Sequence, residues 1–480
     1  MREKGREIDP VIREKALEIL QKHFEPAEIH IDSAVYLSEP ERRNIILRLT
    51  LTSSSELVPK SIILKQSLPQ REDTNNQNAA ARFFRDWAAI EFSSRIEQQE
   101  RVHNTPLFYG SDTELRFILI EDLGHPHISL VDSLAPSIPN SNKAFSALER
   151  YMKVLGAFNA MSYGNIDSYD TILKSINRNA TTPEEDMNSL SEHLLPTLKS
   201  TVELLGISVT QSFTEEVREV LEAIFKPGPF TVLTHGDIAP DNVFDHKNSK
   251  GLQLIDFEWS SPRNALLDGT YLRMSMPTAW FAKSIPEAIL KPLELIYRNE
   301  LKKTIPQASD DMAYSSAFIH ACAFYVLQEM SDLNQILEKD IIWGSGPVPK
   351  DSLWERETNS VRSRFLTRLQ TFVDITKEHD NSYPGQPTIL PQIRRMAEEM
   401  LGKVSMLWPD TKPLGLYPAF KSNVTLNDTA QLGKIERLMK EDSVIPLEIT
   451  QKYKTSLSFI RQDSESVVSE SDNISSNFTP

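Results

Sequence analysis

The segment that most constrains this chain is PFTVLTHGDIAPDNVFDHKNSKGLQLIDFEW, residues 229–259. Two short apolar runs, TVLT and LQLIDF, flank a loop rich in His, Asp, Asn, Gly and Pro, so strand-like segments hold a polar turn between them. Within it Asn242 follows Asp237 by five positions, and Asp256 follows Asp237 by 19. A loop carrying Asp and Asn, followed by a hairpin that returns a second Asp, gathers hard oxygen donors at one point. Mg²⁺ prefers carboxylate, amide and phosphate oxygens together with water, which suits Asn242 and Asp256 as ligands. Asp237 is then left to act as base or orienting group toward a substrate hydroxyl. Phosphoryl transfer uses these parts, because positioning and charge neutralisation supply most of its catalysis.

The remainder of the chain places this loop between a small mixed unit and a larger helical one. IHIDSAVYL, NIILRLTL and SIILKQ, between residues 29 and 66, are separated by polar turns and predict an antiparallel meander. A polar linker leads into the helix AAARFFRDWAAIEFSSRIEQ, and the strands PLFYG and RFILIEDLG follow before helices dominate from about residue 140. On the first of these helices Phe84, Trp87, Ala88 and Glu91 fall at i, i+3, i+4, i+7, which puts a carboxylate on an apolar face. A buried carboxylate needs a partner, and Lys65, at the end of the apolar strand SIIL, is the candidate.

Charge and cysteine usage narrow the class. The 52 Lys and Arg against 67 Asp and Glu leave a net charge of -15, without the basic blocks that a nucleic-acid binder needs. The acidic balance fits a cationic or neutral small-molecule partner. The one cysteine, Cys322, lies in an apolar helical run, which excludes a disulfide framework or thiolate zinc site. The charged N-terminus has no apolar signal core, and no run approaches the length of a membrane span, so a cytoplasmic protein without membrane partners is expected. Tyr271, Trp280 and Phe281 offer either an aromatic pocket for a cationic substrate or, at that spacing, core.

HGDIAPDN followed by LIDFEW resembles the catalytic loop and metal motif of the aminoglycoside phosphotransferase and choline kinase group. His235, Asp237 and Asn242 meet the pattern H-x-D-x-x-x-x-N, while Asp256, Phe257 and Glu258 stand where protein kinases carry D-F-G. The resemblance covers roughly residues 25 to 380. It implies an α+β, two-lobed, protein-kinase-like fold, with a small antiparallel-sheet N-lobe and a large mainly helical C-lobe. It divides the chain into an N-lobe over 1–122 and a C-lobe over 123–384, and leaves a helical extension over 385–455 and a disordered tail over 456–480. It assigns ATP and Mg²⁺ as cofactors and a small-molecule hydroxyl as acceptor. Lys65 and Glu91 become the ion pair that holds the nucleotide phosphates, Glu121 and Leu123 the adenine-binding hinge, Asn242 and Asp256 the metal ligands, and Asp237 the catalytic residue. Asp268 matches an Asp that braces the loop in that superfamily. The turn SEPERRN, where the phosphate-covering loop belongs, contains no Gly. The alternative is a catalytically idle kinase-fold protein that binds a nucleotide or a partner.

Overall fold

A computed structural model describes residues 7–38, 44–68, 76–100, 102–246, 251–279, 281–343, 348–350 and 352–421. The N-terminal lobe runs α1 (Pro10–His23), β1 (Ile29–Tyr36), β2 (Asn44–Ser53), β3 (Ser61–Ser67), α2 (Asn76–Glu100), β4 (Phe108–Asp112) and β5 (Phe117–Glu121). The C-terminal lobe opens with helices α3 (Val131–Leu134), α4 (Ser141–Ser162), α5 (Ile166–Ile176), α6 (Pro183–Glu203) and α7 (Gln211–Phe225). Four short strands follow, β6 (Thr231–Thr234), β7 (Val243–Asp245), β8 (Leu252–Leu254) and β9 (Ser261–Asn264). The chain continues through α8 (Leu266–Gly269), α9 (Glu287–Leu301), α10 (Asp311–Ser331), α11 (Leu333–Glu338), α12 (Val361–Ser382) and α13 (Pro391–Leu407).

The N-lobe sheet has the order β1-β2-β3-β5-β4, with every neighbouring pair antiparallel. Period-two alternation decides what each face does. Ile45, Leu47, Leu49, Leu51, Ile62 and Leu64 are buried in a small core with Ala16 and Leu20 of α1. Their alternates Ile46, Arg48, Ile63 and Lys65 line the cleft between the lobes. This is the predicted meander, and it delivers the lysine to the cleft side.

The C-lobe packs around one large core in which α4 lies against α9. At Gly156 of α4 a Cβ would come within 2.8 Å of Glu300 Cβ and 3.0 Å of the Tyr297 carbonyl, so only glycine permits that approach. Cys322 is fully buried in α10 and its thiol pKa is pushed up by burial, as a core thiol requires. Ile393, Met396 and Met400 of α13 share this core, and Glu216 of α7 accepts from the N–H groups of Gln392 and Ile393 at 2.9 and 2.8 Å. The predicted extension therefore begins as part of the helical lobe. Its remainder from residue 422, and the predicted tail, lie outside the described residues. Among the described residues no helix is long and apolar enough to cross a membrane.

Candidate active site

Lys65 lies on β3 opposite Ile46 of β2 and Ile118 of β5. Its ammonium meets Asp86 Oδ2 at 2.8 Å and Asp256 Oδ1 at 2.5 Å. Burial alone would lower the Lys65 pKa, but the charges of Asp256 and Asp86 outweigh it and hold the pKa above its ordinary value. Burial raises the pKa of Asp86, against the opposing pull of Lys65. The other oxygen of Asp86, Oδ1, accepts the Phe257 N–H at 2.8 Å. One buried carboxylate thus fixes both the lysine and the segment that follows Asp256.

Glu91, expected as the partner of Lys65, is not: it accepts from Trp87 Nε1 at 2.7 Å and pairs with Arg95 one turn along. At 3.6 residues per turn, positions 86 and 91 are separated by about 140° around the helix. The face that reaches the cleft carries Phe83, Asp86, Ile90, Ser93 and Glu97, all buried and also at three- and four-residue spacing. Because α2 is buried over most of its circumference around this stretch, the apolar pattern fits both stripes. Asp86 replaces Glu91 in the lysine pair, and the shorter acid is the one the packing admits.

The loop that carries Asp237 and Asn242 hangs between β6 and β7. Asp268 braces it, accepting from the N–H groups of His235 and Gly236 at 2.8 and 3.3 Å and from Asn159 Nδ2 at 3.1 Å. Tyr151 donates its hydroxyl to the Ile238 carbonyl at 2.9 Å. His235 is buried, bonded through Nε2 to the Ile255 carbonyl at 3.0 Å and packed on the Phe257 ring at 4.6 Å, so it braces the loop. Gly236 has φ +82°, and a Cβ there would lie 2.3 Å from the Trp259 carbonyl oxygen. Asp237 accepts from Thr278 Oγ1 at 2.6 Å, and Thr278 in turn bonds the Tyr271 hydroxyl at 2.7 Å. Thr278 has one hydroxyl proton and gives it to Asp237, so Tyr271 is the donor in the second bond. Asn242 donates from Nδ2 to the Asp237 carbonyl at 2.7 Å, which leaves its Oδ1 as the atom with acceptor character.

The cleft on the Lys65 side has a volume of about 700 Å³. Ile46, Ile63, Ile120 and Phe244 give it apolar walls, and Lys65, Asp241, Asn242, Asp256 and Glu258 are its polar members on the loop side. Glu121 and Leu123 both line it. The Glu121 N–H is spent on the Leu107 carbonyl at 2.9 Å, and its Oε2 accepts the Leu107 N–H at 3.3 Å. Between them, Asp122 accepts from Arg48 Nε and Nη2 at 2.6 and 2.8 Å and from Ser61 Oγ at 2.6 Å. Burial would raise the Asp122 pKa, but these donors outweigh it and hold the pKa below its ordinary value. Arg48 was signalled by its cleft-side place in the β2 alternation, whereas nothing local marks Asp122. Of the Gly-free turn, residues 39–43 lie outside the described residues, while Ser38 and Asn44 at its ends line the cleft.

Among the described residues no group of three His, Cys, Asp or Glu side chains could hold a metal by itself. Asn242 and Asp256 nevertheless fit Mg²⁺ as a donor set, since this ion commonly takes one or two protein oxygens and completes its shell with phosphate and water. Asp256 has φ +69°, the left-handed conformation that Asp tolerates better than most residues, and this turn carries its carboxylate toward Lys65.

A second cleft, of about 500 Å³, opens on the other side of the loop. Gly236, Asp237 and Thr278 line it together with Arg85, Asp186, Trp259 and Arg263. Tyr271 and Phe281 are core, each 1 % exposed, and Trp280 lies outside the described residues. The aromatic lining of this second cleft comes instead from Phe225, Trp259, Phe324 and Tyr325.

Fold and site together define a two-lobed, α+β, protein-kinase-like chain with its loop motifs assembled between the lobes. No family model matches the sequence, and no curated protein matches it either. In structure the chain is similar to Plasmodium vivax ethanolamine kinase, at 13% identity over 78% of this chain and 92% of that one, with a TM-score of 0.39. It is similar to a type I macrolide 2'-phosphotransferase, at 12% identity over 68% and 94% of the two chains, TM-score 0.33. The amicoumacin kinase hAmiN in complex with AMP-PNP, Ca²⁺ and Ami gives 14% identity over 80% and 97%, TM-score 0.36.

Proposed function

We propose that the protein is an ATP-dependent small-molecule kinase that moves the γ-phosphoryl group to a hydroxyl. The observation that carries this is the position of Asp237 between two clefts. Its own loop bonds it to Asn242, which lines the nucleotide-side cleft with Lys65 and Asp256, while Asp237 lines the other. Lys65 would neutralise the nucleotide phosphates, and Ile46, Ile63 and Ile120 would wall the adenine, with the backbone near Glu121 to Leu123 as its hydrogen-bonding edge. Asn242 and Asp256 would hold Mg²⁺, which when bound neutralises phosphate charge. Asp237 orients the acceptor hydroxyl and takes its proton as the new oxygen–phosphorus bond forms. The bond from the γ-phosphorus to the bridging oxygen breaks, and that electron pair leaves with ADP. Thr278, donating to Oδ1 at 2.6 Å, and the Asn242 amide, donating to Oδ2 at 3.3 Å, would fix the orientation of the Asp237 carboxylate toward the acceptor.

The test is ADP formation with Mg²⁺ and ATP over a pooled library of small alcohols, for the natural protein and Asp237→Ala. Loss of a positioned base is expected to lower turnover by on the order of a hundredfold to ten-thousandfold. Turnover unchanged in Asp237→Ala removes the assignment.

A further inference from the structure

The net charge of the chain favours a cationic partner, but the second cleft holds one guanidinium that no carboxylate of the described residues pairs with. Arg263 sits on β9 with its Nη2 against the catalytic loop, so close that a Cβ on Gly236 would lie 2.4 Å from it. The guanidinium donates only to neutral oxygens, Thr234 Oγ1 from Nε and the Trp259 carbonyl from Nη2, both at 3.0 Å. Among the described residues no carboxylate lies within ion-pair distance of it. Asp268 acts on it from behind the loop, but the oxygens of Asp268 are already taken by the His235, Gly236 and Asn159 donors. Burial lowers the Arg263 pKa, as it does for a cation short of counter-charge.

Arg85 lies in the same cleft, pairs with Asp186 at 3.2 Å, and neutralises it. The cleft lining carries two guanidiniums, Arg85 and Arg263, and two carboxylates, Asp186 and Asp237; with Arg85 and Asp186 paired, one charge of each sign, Arg263 and Asp237, faces the ligand beside apolar walls from Trp259, Phe225 and Phe324. Arg263 is half-buried, so the N–H groups it does not spend on Thr234 and Trp259 can reach a ligand, and a planar fork of donors suits a carboxylate.

On the reading that this is a hydroxyl kinase, we propose that its acceptor is a hydroxy acid whose carboxylate pairs with Arg263, a few bonds from the hydroxyl that Asp237 addresses. The experiment measures Mg²⁺- and ATP-dependent ADP release with 2- and 3-hydroxy acids bearing methyl, isobutyl and benzyl side chains. Each acid is paired with its methyl ester and primary amide, and amino alcohols complete the panel. The acids are expected to exceed their esters in kcat/KM by about tenfold or more, the worth of a charge-assisted pair. Arg263→Gln is expected to collapse that ratio toward one, and Arg263→Lys to restore part of it. Amino alcohols preferred over acids in the natural protein, or acid and ester lowered equally by Arg263→Gln, overturns the proposal. Should Arg263→Gln not fold, the acid-to-ester ratio of the natural protein decides. If ATP binds and nothing is turned over, the kinase reading fails separately. Calorimetric titration of the same acids, with and without AMP-PNP, then decides: binding of acids but not esters upholds the carboxylate site, and binding of neither overturns it.

Discussion

The two clefts that meet at the catalytic loop are built on opposite principles. On the Lys65 side the lysine and arginine are each held in an ion pair: Lys65 holds Asp86 and Asp256, Arg48 holds Asp122, and Asp86 also secures the backbone after Asp256. On the other side Arg263 faces the cleft with hydrogen bonds to neutral oxygens alone. Cations already held in ion pairs keep one geometry before anything binds, which under the proposed function would suit an invariant cosubstrate. A guanidinium outside any ion pair can take its counter-charge from a ligand, which under the same proposal would discriminate among acceptors.

The sharpest way to break the contrast is to unwire the first cleft. Asp86→Asn removes a buried partner of Lys65, which costs about 3 kcal/mol when one member of a buried pair is lost. A fall in kcat/KM for ATP of on the order of a hundredfold is expected. Glu91→Gln, about 140° around the same helix and tied to Trp87 and Arg95 rather than to Lys65, is expected to stay within about threefold, because the amide oxygen can still accept from Trp87. Steady-state kinetics over an ATP titration separates the two. A Glu91→Gln loss as deep as that of Asp86→Asn would return the role to Glu91.

That pair also marks how far the sequence could be read. The gathering of Asp237, Asn242 and Asp256 around one loop was legible because it follows from order and spacing along a single short segment. Lys65 was legible because it ends the apolar run SIIL and so offers a cation to a buried helix carboxylate. Asp86 was not, since an apolar helix buried on most sides offers two stripes at the same spacing, and only tertiary packing chooses between them. Arg263 and Thr278 lay outside any motif, and Trp259 closes the LIDFEW segment without a role having been assigned to it. Arg263 and Thr278 reach the second cleft through the pairing of β6 with β9 and through the turn after α8, contacts of long sequence separation that no local period encodes.

The rigidity of the wired side depends on the loop that both clefts share, and Gly236 tests it. Gly236→Ala places a side chain at φ +82° and against the Trp259 carbonyl, so it forces loop and hairpin apart. A loss of about 3 kcal/mol in urea unfolding is expected, with turnover reduced alongside. Gly251→Ala supplies the control, because its φ of +78° is similar but nothing lies within 4 Å of the added Cβ. It should lose only about 1 kcal/mol, the cost of the backbone conformation alone. Equal losses at the two positions would mean that the close approach at Gly236 contributes nothing.

The smallest expected effect lies at the boundary between the clefts, in the relay from Tyr271 through Thr278 to Asp237. Thr278→Val keeps the shape and removes the hydroxyl, so Asp237 loses a donor at 2.6 Å and the buried Tyr271 hydroxyl loses its acceptor. Because a hydrogen bond to a charged group is at stake, kcat should fall by about tenfold. KM for ATP should hold, since Thr278 lines only the acceptor-side cleft. Thr278→Ser retains the hydroxyl and should recover most of the rate, a rescue that a purely steric role would not give. A KM rise for ATP in Thr278→Val would show that the two sides are not separable at Asp237, and the contrast between a wired cleft and a selective one would fail at the residue that joins them.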